Sequence, residues 1–207
     1  MPAPPPAPVT LALVGYAAGA LQVAIPLPQA IATRRGSGGV ALGSWALSAF
    51  GASAWVGYAT RADLAPSLVA NALSVAAALA VVLALRGAPA SRRALVVLAS
   101  LALVILATVT PLALSSVLAV ALTVPYPVPQ AVNALRGRLA GVSPVTWALS
   151  LVTSTLWAAY GLSVHSWAIV APSLVIVPSA ATILVALARH RANLTDAPPP
   201  VIAESHP

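Results

Sequence analysis

Side chains able to do chemistry are scarce in this chain, and their recurrence is its most informative property. It has no cysteine, three acidic residues, three histidines and ten basic residues, all of them arginine. A catalytic centre needs a nucleophile, a carboxylate pair or metal ligands within mutual reach. Asp63 and His165 are the only candidates beside the apolar segments, and two such groups do not make a site. No cofactor, metal or nucleotide motif is present, which excludes ATP-driven pumping by this chain alone and argues against an enzyme. What recurs is aromatic. Trp45, Trp55 and Tyr58 return as Trp147, Trp157 and Tyr160, 102 residues later, and Pro26-Leu27-Pro28-Gln29 returns as Pro127-Val128-Pro129-Gln130, offset by 101. The chain is therefore an internal duplication.

The solvent that must surround such a duplicated unit follows from composition. Hydrophobic residues make up 60% of the chain and charged ones 6%, where a soluble domain carries about 25% charge. A bilayer is the only solvent that accommodates this. The net charge of +7 does not point to nucleic acid, because the arginines stand singly or in pairs between apolar runs. One crossing takes about 20 apolar residues, set by a rise of ~1.5 Å per residue and a hydrocarbon core of ~30 Å. Residues 1–33, 36–60 and 64–85 supply one span each. The 42 uncharged residues between Arg93 and Arg136 supply two, broken at Thr110-Pro111, and the 50 between Arg138 and Arg189 supply two more, broken near Gly161 to His165. The expected fold is an all-α membrane protein of seven transmembrane helices.

With seven spans, nine arginines fall on one side and only Arg61 on the other. By the positive-inside rule the N-terminus is outside and the C-terminus cytoplasmic, in a plasma-membrane protein. Residues 1–8 are expected to be a disordered Pro-rich tail. Residues 9–85 form the first three-helix repeat, 86–111 a linker containing the fourth helix, 112–188 the second repeat, and 189–207 a disordered cytoplasmic tail. Three is odd, so the unpaired fourth helix lets both copies face the same way: a 3+1+3 arrangement of parallel repeats.

The Pro28-Gln29 and Pro129-Gln130 pairs ending a helix, the Arg-bearing loop, the Gly-Val pair and the Trp-x-x-Tyr resemble the PQ-loop repeat. The 3+1+3 layout is similar to the SWEET sugar transporters. The resemblance covers about residues 9–188 and implies an integral membrane facilitator. In that family the sugar is held between tryptophans of the second helix of each repeat and asparagines of the third. Carried over, Trp55, Trp157 and Asn71 match; Ser173 stands where the family has a second asparagine, and that departure bears on which solute is taken. Single-repeat relatives work as dimers, which leaves a homo-oligomer open.

Depth is consistent with this assignment. If span two ends near Thr60 and span three starts near Ala65, Trp55 and Asn71 meet at one depth, ~8–9 Å below the outer boundary. Trp157 and Ser173 repeat the pairing. An aromatic ring covers a sugar's C–H face while an amide or hydroxyl takes its hydroxyls. Each residue also has a plainer reading: an aromatic belt for the tryptophans, interhelical hydrogen bonding for Asn71, a backbone bond for the Ser173 hydroxyl. Pro26, Pro28, Pro127, Pro129 and Pro144 lie near the cytoplasmic ends of spans one, five and six. They either kink these helices so that the inner halves splay, or merely terminate them. Gly15 and Gly19 form one GxxxG.

The deep membrane segments hold no Asp, Glu, Lys or Arg, which favours uncoupled transport over proton symport. The reading is thus a uniporter of a small neutral solute, a mono- or disaccharide, working by alternating access in the lipid bilayer. An amino-acid transporter of the PQ-loop type and a non-transporting membrane sensor or receptor are the alternatives.

Overall fold

The computed structural model describes residues 9–25, 42–85, 88–137, 139 and 142–195. Among them the chain is helical throughout: α1 Val9–Ala24, α2 Leu42–Arg61, α3 Ala65–Ala84, α4 Ala90–Val109, α5 Leu112–Thr123, α6 Val128–Leu135, α7 Pro144–Ser163 and α8 Trp167–Thr195. Five segments are long and apolar enough to cross a membrane: α3, α4, α5 continued through α6, α7 and α8. The protein is thus a multi-pass, all-helical membrane protein. Helix α1 is a shorter apolar helix. Helix α2 spans 20 residues but carries three glycines, three serines and a threonine. Much of its length is buried between α3, α4 and α5. It therefore needs no lipid-facing apolar stripe, and its small residues let neighbouring backbones approach.

Hydroxyls within these helices are mostly satisfied on their own backbone. Ser74, Ser100, Thr108, Thr123, Ser150 and Thr182 each bond the carbonyl four residues back, which removes the penalty of a bare polar group in an apolar surrounding.

Proline and local capping set the breaks. Helix α4 stops at Val109, Thr110 is extended and Pro111 caps α5, as the sequence predicts. The second proline cluster divides span five: α5 ends at Thr123, and fully buried Pro127 is the N-cap of α6, with Pro129 in its first turn. Pro144 is the first residue of α7, behind the Ser143 cap. There a proline breaks no helical hydrogen bond, so its place is that of a helix starter, not of an interior kink. Pro172 and Pro178 do lie inside a helix, α8. Pro26 and Pro28 fall outside the described residues, as do 1–8 and 196–207. The expected tail at 189 is corrected: α8 runs on to Thr195, since no proline or glycine follows in the sequence before Pro198 to stop it.

The turns closing α2 and α7 are copies of each other. Asp63 and His165 take left-handed backbone, φ 53° and 54°. The amide three residues past each helix end donates back five residues, from Leu64 to Ala59 at 3.0 Å and from Ser166 to Gly161 at 2.8 Å. This is a Schellman closure with a non-glycine residue in the left-handed position.

Packing obeys the duplication too. Helix α1 packs on α3 and α7; α5 packs on α8 and α2; α6 packs on α8; α2 pairs with α3 as α7 pairs with α8. Exchanging the first three spans with the last three maps these contacts onto one another. Helix α4 is the exception, docked on α2, where a Cβ at Gly57 would strike Ala107. Gly15 and Gly19 have a packing role of the same kind. A Cβ on Gly15 would lie 2.8 Å from Pro66 Cβ and 3.0 Å from the Tyr160 ring, and one on Gly19 would lie 2.8 Å from Ala70 Cβ.

Candidate functional site

Trp55 lies six residues before the end of α2 and Trp157 six before the end of α7; Asn71 lies six into α3 and Ser173 six into α8. All four therefore sit ~9 Å from the end of the bundle where the two Schellman turns lie. Asn71, Ser173 and Trp55 are at least nine-tenths buried, and Trp157 is half-buried. The structure brings them to one depth without joining them directly. Gln22 on α1 links Trp157 to Asn71, Thr123 on α5 holds Trp55, and Ser173 is joined to neither.

Trp55 donates its indole Nε1–H to Thr123 Oγ1 at 2.8 Å, and Trp157 donates to Gln22 Oε1 at 2.8 Å. Trp55 and Trp157 are repeat mates at offset 102, and Gln22 and Thr123 are mates at offset 101. The two bonds are thus one interaction made twice, and each crosses from one repeat to the other. Each indole also stands edge-on to a tyrosine one turn later: Trp55 to Tyr58 at 5.5 Å and 85°, Trp157 to Tyr160 at 5.8 Å and 69°.

The surroundings of the two bonds differ. Gln22 Nε2 donates to Asn71 Oδ1 at 3.1 Å and to Ser74 Oγ at 3.2 Å. The Asn71 amide in turn donates to the Ser67 carbonyl at 2.8 Å. A chain of side chains therefore runs from Trp157 through Gln22 to α3. On the other side Thr123 donates to its own helix, to Ala119 O at 2.8 Å. Ser173 donates across to α7, to Ser154 O at 2.8 Å. Thr153, one turn before Trp157 on the same face of α7, is buried with its hydroxyl unpartnered; so is Ser53 on α2. A third link between repeats stands nearer the turns, where the Tyr58 and Ser166 hydroxyls are 2.8 Å apart.

Sequence reasoning missed Gln22 and Thr123. Gln22 could have been found: it is the one amide among the 16 residues of α1, and polar side chains inside a membrane usually mark a pathway. Thr123 gave no comparable signal, being one of many hydroxyls that can bond their own helix. Chemically, the layer offers two aromatic faces, an amide pair and several hydroxyls. No Asp, Glu, Lys or Arg lies within α1, α3, α5 or α7. Such a layer can exchange hydrogen bonds with a neutral polar molecule, and it holds no fixed charge to pair with an ion.

No protein-family model matches the chain, and no curated protein matches it in sequence. Its coordinates are similar to the solved structure of a eukaryotic SWEET transporter, with a TM-score of 0.71 over 89% of this chain and 100% of that one. The identity is 13%. The likeness is therefore one of fold: the helices of this chain are arranged as in that transporter.

Proposed function

We propose that this protein is a membrane uniporter for a small neutral solute, a mono- or disaccharide, working by alternating access between two three-helix repeats in a 3+1+3 order. The observation that carries this is the pair of crossed indole bonds, Trp55–Thr123 and Trp157–Gln22. They put matching breakable contacts between the two repeats, ~9 Å into a ~30 Å apolar core. Alternating access requires contacts of that kind, closed in one state and exchanged for solute in another. Asn71, Trp55, Trp157 and Ser173 are the residues we assign to the solute, with Gln22 holding Asn71 in place.

A sugar fits this set of groups. Its C–H faces suit the indole rings, and its hydroxyls can both donate to and accept from the Asn71 and Ser173 side chains. Few convergent polar groups among apolar ones is the usual form of a small-ligand site. The absence of ionisable side chains from this layer supports facilitated movement without proton coupling. The arginine distribution supports an outer location for the Schellman turns and a cytoplasmic C-terminus. The division of span five at Val124 to Pro127 supplies a bend near the cytoplasmic end, where Pro127 and Pro129 serve as hinge residues.

The test is counterflow in proteoliposomes loaded with unlabelled D-glucose or sucrose, following entry of the labelled sugar. The unsubstituted chain is expected to show counterflow that Asn71→Ala and Trp157→Ala each abolish while the protein stays folded. Folded protein that shows none with a range of mono- and disaccharides overturns the sugar assignment.

A further inference from the structure

The two crossed bonds are related by the duplication, yet the sides of the molecule they close are unequal. From that inequality we infer that the repeats part first between α2 and α5, with the α1–α7 contact as the pivot. This rests on the alternating-access reading and adds a direction to it.

Two independent observations carry the inference. The first is hydrogen bonding. When Trp157 leaves Gln22, two half-buried groups lose their partner, the indole N–H and Gln22 Oε1. Gln22 cannot follow the indole, because its Nε2 is tied to Asn71 and Ser74 on α3. When Trp55 leaves Thr123, only the indole N–H is orphaned, since the Thr123 hydroxyl keeps its bond to Ala119 O. One extra orphaned acceptor in an apolar layer weighs on the order of tenfold in the opening equilibrium. The Tyr58–Ser166 bond also spans the α2 side. It lies near the turns; Tyr58 is buried, while Ser166 is half-buried beside exposed His165 and Trp167, so water can replace the partner that the Ser166 hydroxyl loses.

The second observation is packing. Gly15 brings α1 against the Tyr160 ring of α7, 3.0 Å from where its Cβ would be, while Gly15 and Gly19 also seat α1 on Pro66 and Ala70 of α3. Their repeat mates on α5 are Ser116 and Val120. Where α5 meets α2 the approach is looser: a Cβ on Gly51 would lie 3.7 Å from Leu122 O and 3.8 Å from Thr123 Oγ1, which is ordinary contact. At these glycines α1 is held more closely against α7 than α5 is against α2.

The chain contains no cysteine, so spin labels can be placed in pairs without removing any native residue. Gly43→Cys with Val117→Cys reports on α2 against α5. Val145→Cys with Tyr16→Cys, the repeat mates of those positions, reports on α7 against α1. All four residues are exposed, and none belongs to the polar layer. Electron–electron distances are read in proteoliposomes with and without saturating D-glucose, beside counterflow of the unlabelled protein. A distribution that is broad or double and shifts with glucose for Gly43/Val117, against one narrow peak for Val145/Tyr16, is the expected result. Equal broadening of both pairs, broadening confined to Val145/Tyr16, or two narrow unmoving peaks each overturns the pivot. Counterflow separates the two readings. Flux with equal broadening sinks the pivot alone. Asymmetric broadening with no flux of any sugar sinks the sugar assignment and leaves the pivot standing.

Discussion

If the Trp157–Gln22 and Trp55–Thr123 bonds differ as their surroundings imply, the difference is measurable as two coupling energies. The perturbations are Trp157→Phe with Gln22→Met, and Trp55→Phe with Thr123→Val, each pair combined in a double-mutant cycle. The cycle is needed because tryptophan to phenylalanine also removes ring area, and Trp55 is more buried than Trp157; single substitutions would mix that loss with the hydrogen bond. In the cycle the area term cancels. Side-chain hydrogen bonds between membrane helices average ~0.6 kcal/mol and reach ~1.7 kcal/mol. Thr123 retains its Ala119 bond in either state, which puts Trp55–Thr123 near the average, about 0.6 kcal/mol. Gln22 is held by α3 and cannot re-pair, which puts Trp157–Gln22 near the upper end, about 1.5 kcal/mol. The assay is reversible unfolding in mixed micelles titrated with denaturing detergent, where a gap of about 1 kcal/mol, roughly a fivefold change in the equilibrium constant, is resolved. Equal couplings, or a larger one for Trp55–Thr123, would refute the argument that the anchoring of Gln22 matters.

The remaining predictions concern packing, turns and the orphaned hydroxyls. Gly19→Ala should destabilise by about 1–3 kcal/mol because its Cβ meets Ala70, whereas Gly43→Ala, with nothing within 4 Å, should be neutral or stabilising by up to about 1 kcal/mol; thermal unfolding of the two variants decides it. Asp63→Gly and His165→Gly should each raise the melting temperature slightly, since glycine relieves a left-handed position that disfavours other residues by ~1–2 kcal/mol, an effect partly offset by greater freedom in the unfolded chain. Ser173→Ala should lower stability by about 1 kcal/mol through the lost bond to Ser154 O, and should reduce counterflow less than Asn71→Ala does. Thr153→Val keeps the shape and removes a hydroxyl that has no partner. It should therefore unfold no more easily than the parent, and any loss of flux in it would mark that hydroxyl as a solute contact.

How much of this could be read before any coordinates depends on what kind of signal each feature leaves. The Trp and Pro pairs at offsets of 102 and 101 fix the duplication because tryptophan is rare and its recurrence is hard to produce by composition. The break at Thr110-Pro111 was equally plain, since proline excludes itself from a helix interior. The coplanarity of Trp55, Asn71, Trp157 and Ser173 also followed from counting residues inward from the turns, because a helix converts residue number into depth at a fixed rate. Partners across the bundle leave no such trace. Gln22 and Trp157 are 135 residues apart and Trp55 and Thr123 are 68 apart, and no local rule links them. The prolines show the opposite failure. Pro144, for which the sequence leaves a kink and a helix boundary both open, is a helix start, and Pro172 and Pro178, which do lie inside a helix, have no counterparts in the first repeat to draw attention to them.

That contrast bears on how a duplicated protein comes to work asymmetrically. Symmetry is kept where it is geometric: the turns at Asp63 and His165, the indole pair, the order of packed helices. It is lost where side chains set energies, with Gln22 against Thr123, Asn71 against Ser173, and Gly15 and Gly19 against Ser116 and Val120. Every one of these differences places the more polar or more tightly packed member on the α1–α3 side. A single drift could have produced any one of them, but their common direction has a physical consequence. Under the alternating-access proposal above, the side with the richer hydrogen bonding and closer backbones is the one expected to open less readily, so that a solute entering the layer would meet most of its polar partners on the wall that stays still.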